Sequence, residues 1–256
     1  MQFKEIPPDK VTAIEETEAI YAGVVNSLKE AYKRFSQEGE LDIEEACLLI
    51  EKLVGNISLG NDKIIFLTTH NYSEDYLIYH IVNVSILSIR IGLHLKYPCD
   101  SLVNLGVLAL LHGIGDPEEQ GCGVHELEKQ KFIQNFILCR KPRDSFIKDA
   151  FSIIAIIDVY ESLTHSRAYR PSFMPYEILK AIISASEEVF NPEIAKEVIR
   201  VFSLYPLGSK VRLNTEEVAQ VVRVNPDFPL RPQVVIMLDN YGNKLRFFKL
   251  VINKES

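Results

Sequence analysis

Apolar and polar positions along this chain follow two periods, and the change between them falls near Tyr205. Upstream, apolar residues recur at helical spacing; downstream they alternate as strands do. The densest apolar stretch runs from Tyr76 to Asp116 and reads YLIYHIVNVSILSIRIGLHLKYPCDSLVNLGVLALLHGIGD. In its first half His80, Val84, Leu87 and Ile91 share one helical stripe. The polar break Lys96-Tyr97-Pro98-Cys99-Asp100 divides it. The second half opens at Asp100, a residue type suited to an N-cap, and stays apolar to Leu111. It then reaches His112 at a Gly-Ile-Gly break, which places that histidine at a helix C-terminus. Two buried helices are predicted, one carrying His80 and the other His112. A lone histidine in such a setting is ordinarily a hydrogen-bonded core residue, and that reading stands here beside a ligand role.

The flanking segments predict a mainly α protein. Val11 to Gln37 has a helical pattern that ends at Gly39. Asp42 and Glu45 have the spacing of a capping box, opening a helix that stops at Gly55. Asp62 to His70 reads as a short helix with His70 at its end. Beyond the central stretch, His125 to Arg140 is amphipathic, Pro142 stops it, and Asp144 caps the next helix. His125, beside Glu126 and Glu128 in an acid-rich turn, is a minor candidate ligand. Ala150 to Ile157 is nearly all apolar and runs directly into Asp158. A carboxylate there needs a partner. Arg167 or Arg170, a neighbouring helix end, or a metal ion would each serve, and the residues alone favour an arginine. Pro175 and Asn191-Pro192-Glu193 open two further helices. Then come four strand patterns, Lys210 to Leu213, Glu217 to Val224, Gln233 to Leu238 and Leu245 to Ile252. The turn signals Asn225-Pro226-Asp227 and Asn240-Tyr241-Gly242-Asn243 lie between them, and a small antiparallel β module is expected.

Composition narrows the function. The 256 residues are 47% hydrophobic and 25% charged, enough to bury a sizeable core. A net charge of −7 and a pI near 5.5 argue against nucleic acid or an anionic membrane as the main partner. No transmembrane helix or signal peptide is expected. Cys47, Cys99, Cys122 and Cys139 form no CxxC pair and read as reduced thiols in a cytoplasmic protein.

Three of these stretches, in order, resemble the HD-GYP family, metal-dependent phosphodiesterases of cyclic dinucleotides within the HD superfamily. YLIYHIVNVSILSIRIGL resembles its first metal-histidine helix. LVNLGVLALLHGIGD resembles the helix that ends in the family's His-Asp doublet, and IIAIIDVYESLTHSRAYRP resembles its DVYDAL…RPYR stretch. The resemblance implies an N-terminal helical region (1–72), an HD-type helical bundle (73–204) and a β module (205–256). It implies metal ligands at His80, His112 and Asp158 and phosphate contacts at Arg167 and Arg170. Read from the residues alone, the two arginines serve equally as internal clamps on Asp158 or Glu161.

This chain also departs from the family pattern. The doublet is His112-Gly113, so the bridging carboxylate is missing. Asp116 stands where the family has a lysine. The adjacent histidine pair and the Gly-Tyr-Pro loop are absent from the sequence. No catalytic residue is therefore assigned. The expected cofactor is none, or one divalent metal ion, iron or manganese. The leading expectation is a non-catalytic binding or scaffold module in bacterial signalling, with a cyclic dinucleotide or a signalling protein as partner. The alternative is a one-metal phosphohydrolase or weak cyclic di-GMP phosphodiesterase.

Overall fold

The stripe of His80, Val84, Leu87 and Ile91 forms one side of a helix that is buried on nearly every side. The computed structural model describes residues 8–38, 43–59, 62–70, 75–113, 144–167, 170–186, 189–202, 205, 208–225 and 231–251. Among them are eight helices: α1 (Pro8–Glu38), α2 (Ile43–Ser58), α3 (Asp62–Leu67), α4 (Tyr76–His94), α5 (Cys99–His112), α6 (Asp144–Thr164), α7 (Pro175–Ala185) and α8 (Pro192–Phe202). Four strands follow: β1 (Lys210–Arg212), β2 (Val218–Arg223), β3 (Gln233–Leu238) and β4 (Lys244–Val251). The protein is mainly α with a small C-terminal antiparallel sheet, as the change of period predicts.

The chain divides into two compact units, Met1–Ala150 and Phe151–Ser256, and α6 runs through the boundary. In the first unit α4 is the central helix, in contact with α1, α2, α3 and α5. By length and composition it is apolar enough to cross a membrane, but 78% of its apolar window is buried, as in a core helix. Its closest partner is α5. Gly92 and Gly106 allow the approach: a methyl at Gly92 would lie 2.8 Å from Leu102 Cδ2, and one at Gly106 would lie 2.9 Å from Ile89 Cδ1. Ser85 Oγ donates to the Gly106 carbonyl across this contact at 3.0 Å. The first helix braces both. Tyr21 donates to Asn83 Oδ1 at 2.8 Å, and Lys29 pairs with Asp75 at 2.7 Å at the start of α4.

The predicted break between α4 and α5 is a Schellman turn. Lys96 takes the left-handed conformation (φ 59°), its amide bonds to the Leu93 carbonyl, and the Tyr97 amide bonds to that of Gly92. Several expected helix ends shift: α1 starts at Pro8 rather than Val11, and α3 stops at Leu67 rather than His70. The cap of α5 is Pro98, and Asp100 lies in the first turn, where its charge still favours the helix dipole. The second helix does not stop at Gly55 but continues to Ser58. Ile50, Leu53, Val54 and Ile57 are all buried, and one more turn brings Ile57 into the core at the modest cost of a helical glycine. Asp144 is the first residue of α6 rather than the residue before it. Asp42, Asp116, the expected helix His125 to Arg140, Tyr169 and most of the Asn225-Pro226-Asp227 turn lie outside the described residues.

In the second unit Tyr160 of α6 stacks on Phe202 of α8, with centroids 5.2 Å apart. Asn191 caps α8, its Oδ1 accepting the Glu193 amide at 3.0 Å. The sheet is a meander of order β1-β2-β3-β4, antiparallel throughout, with irregular register in β2–β3 and β3–β4. Ala219, Val221, Val234 and Ile236 form its core. The Asn240 to Asn243 turn is closed by Asp239, whose Oδ1 accepts the Tyr241 and Asn243 amides, and Gly242 has a φ of 84°.

Candidate metal centre

Helical period puts His80 on the buried face of α4, and the end of α5 presents His112 beside it. His80 is 6% exposed and His112 is half-buried. Their Nε2 atoms lie 3.4 Å apart and their rings meet edge to face, with centroids 5.4 Å apart. The Nδ1 of His112 bonds to the Ala109 carbonyl one turn back. A carbonyl only accepts, so Nδ1 carries the proton and the lone pair of His112 stands on Nε2. Tyr76 stacks on His80 one turn earlier, with centroids 5.7 Å apart and planes 12° apart.

The pair fits a metal ion. Two imidazole nitrogens, each about 2.1 Å from one ion at a tetrahedral angle, stand roughly 3.4 Å apart. That is the observed separation. The Nδ1 bond to a backbone carbonyl is also the support that orients metal-binding histidines. The same contact is a hydrogen bond when His80 carries its proton on Nε2, so a cation would take the place of that proton.

Next to each histidine the two helices interlock. Ile81 is fully buried and its side chain fills the space beside Gly113. A methyl built on Gly113 would fall 2.5 Å from Ile81 Cδ1, well inside van der Waals contact. The backbone of Gly113 (φ −86°) would suit any residue, so the restriction is one of space. Tyr32 of α1 donates to the Gly113 carbonyl at 2.6 Å, fixing the turn from a third side.

The other candidate residues belong to the second unit. Asp158 is half-buried near the middle of α6, three residues before Glu161. Glu161 is 1% exposed, and its carboxylate faces His165 Nδ1 at 3.3 Å. Arg170 closes the end of α6. It donates to the Ser162 carbonyl at 2.7 Å and the Leu163 carbonyl at 3.4 Å, and its guanidinium lies over the Phe173 ring. Arg167 is half-buried and exchanges backbone hydrogen bonds with Arg170 at 2.7 and 3.1 Å. His70 is exposed in the turn three residues beyond α3, its Nδ1 against the Leu67 carbonyl, so the helix expected to reach it stops short. His125 lies outside the described residues.

A family model described as a KOW domain associated with HD domain matches residues 210–253, the β module. A cyclic di-GMP phosphodiesterase of Pseudomonas aeruginosa is 21% identical over 255 residues, covering 84% of this chain and 60% of the relative. Cyclic di-GMP phosphodiesterase PdeB of Borreliella burgdorferi is 23% identical over 204 residues, covering 66% of this chain and 54% of the relative. The chain is HD-GYP-like. It spans somewhat more than half the length of these two relatives. No solved structure matches it significantly.

Sequence reasoning named both histidines of this HD-GYP-like centre but not Ile81, Tyr32 or Tyr76. A signal for Ile81 existed: a branched apolar residue directly follows His80, and a glycine directly follows His112. Tyr32 carried none, because its partner lies 81 residues away.

Proposed function

We propose that this HD-GYP-like chain binds one divalent metal ion through His80, His112 and Asp158. We further propose that it serves cyclic-dinucleotide signalling as a binding module, without turnover typical of cyclic di-GMP phosphodiesterases. The approach of the two histidine Nε2 atoms to 3.4 Å carries the metal reading. Two imidazoles and one carboxylate are a sufficient donor set for one ion with open positions. When bound, the ion would polarise a phosphoryl oxygen and lower the pKa of a coordinated water. His80 and His112 offer neutral donors, and Asp158 offers the negative charge that offsets the ion's own.

The absence of turnover is argued from position 113. A close pair of cations repels strongly unless a carboxylate stands between them. Gly113 offers none, and Ile81 occupies the room that a longer side chain would need. We propose Arg167 and Arg170, which the resemblance assigns to phosphate, as the phosphate contacts; the Arg170 guanidinium also bonds to the end of α6. A signalling protein is the other partner considered. The second reading, a one-ion phosphohydrolase, is favoured by the preserved histidine pair.

One experiment separates them. Purified protein is loaded anaerobically with manganese or ferrous iron and incubated with cyclic di-GMP, and bound metal and products are measured. The expected outcome is about one ion per chain, lost in His112→Ala, with cyclic di-GMP left intact. Robust hydrolysis that disappears in His112→Ala would establish the phosphohydrolase instead.

A further inference from the structure

Three glycines stand where α4 meets α5, and one of them differs from the others in what it touches. Gly92 and Gly106 admit apolar side chains away from the histidines. Gly113 directly follows His112, and the side chain that fills its space, Ile81, directly follows His80. The two histidines are therefore carried by the two halves of one interlock. The Ile81 side chain is the knob and the missing Cβ of Gly113 is the socket. The Tyr32 hydroxyl donates to the Gly113 carbonyl at 2.6 Å and so holds the same turn.

We propose that Ile81 and Gly113 are positioning residues that set the spacing of His80 and His112. The inference rests on the metal reading given above. Its physical basis is that packed interiors do not deform continuously. A methyl at position 113 has to push Ile81 away or displace the last turn of α5. Either movement acts on a peptide unit directly bonded to a histidine residue. A displacement of a few tenths of an ångström is enough to spoil a two-nitrogen site at 3.4 Å, because ligand distances tolerate only about 0.2 Å. Ile81 thus acts on the ion through His80 without touching it, and Gly113 acts through His112.

The test uses the full chain and cobalt(II), whose visible absorption reports ligand number and geometry. Five proteins are titrated and melted: wild type, Gly113→Ala, Ile81→Ala, the double variant, and Gly92→Ala. Gly92→Ala is the packing control. It crowds Leu102 and Leu105 at the same helix contact, three turns from His80 along α4. Gly113→Ala is expected to weaken cobalt affinity roughly 10- to 100-fold, the range seen when the support of a metal ligand is lost. Removing the knob as well should return the affinity to within about three-fold of wild type, by the logic of a double-mutant cycle. Gly92→Ala should lower the melting temperature and leave the affinity unchanged.

Unchanged affinity in Gly113→Ala, or equal weakening in Gly92→Ala, would overturn the proposal. If wild type takes up no cobalt, the metal reading itself fails. The interlock is then judged by melting of the metal-free proteins. Gly113→Ala should lower the melting temperature less in an Ile81→Ala background than in wild type, and equal losses in the two backgrounds would refute the interlock too.

Discussion

Tyr97 sits in the turn that ends α4, and its hydroxyl donates to Asp149 Oδ2 at 3.3 Å, near the start of α6. Its ring also meets Phe146 edge to face, with centroids 5.7 Å apart. Burial, then the charge of Asp149 and the hydrogen bond to it, push the Tyr97 pKa up from 10.0 to about 12. The folded protein thus favours the neutral phenol. Its contribution is fully present below pH 10 and declines as the pH rises through 10 towards 12. Wild type should therefore lose melting temperature over that window more steeply than Tyr97→Phe, and parallel curves would refute the assignment. Residues of this kind mark the limit of sequence reading. His80 and His112 were legible because each interrupts an apolar run. Tyr97 looked like part of a polar break, and its partner 52 residues away gave no local sign.

Element ends were harder to read than elements, for a physical reason. Apolar period reports which face is buried, and a continuous apolar run such as that of α5 reports burial on all sides. An end depends on what the last turn touches. Burial of Ile57 carries α2 past Gly55, where a glycine alone would suggest a stop. The end of α6 shows the opposite case, a helix closed by a distant cation. The Arg170 guanidinium takes the Ser162 and Leu163 carbonyls and stacks on Phe173, serving both orphan acceptors and the negative end of the helix dipole. Arg170→Ala should cost about 1–2 kcal/mol in urea denaturation, a range kept low because the side chain is partly exposed. Arg170→Lys should recover less than half of that, since an ammonium lacks the planar fork. Unchanged stability in Arg170→Ala would show that these helix-end contacts contribute no net stability.

At the scale of the whole molecule, the change of period near Tyr205 marks a change of core. Upstream, burial is by helix on helix. Downstream, Ala219, Val221, Val234 and Ile236 form a cluster of their own, joined by Tyr205, Val211, Leu213 and Leu245 at its edge. All four buried members lie on β2 and β3, the inner strands of the meander, so the sheet supplies its own apolar interior. The family-model match over residues 210–253 covers nearly the same span as the four strands. A unit with its own core contributes little to the stability of helices it does not build. The segment from Leu207 to Ser256 contains no helix among its described residues. Deleting it should leave the far-ultraviolet helical signal per molecule nearly unchanged. The histidine pair belongs to α4 and α5 in the first unit, so cobalt uptake by the truncated protein should match that of the full chain. Exposing the Tyr205 ring should lower solubility without unfolding the helices. A truncated protein that loses its helical signal altogether would show that the β module is part of the helical core, and the expected division at 204/205 would have to be abandoned.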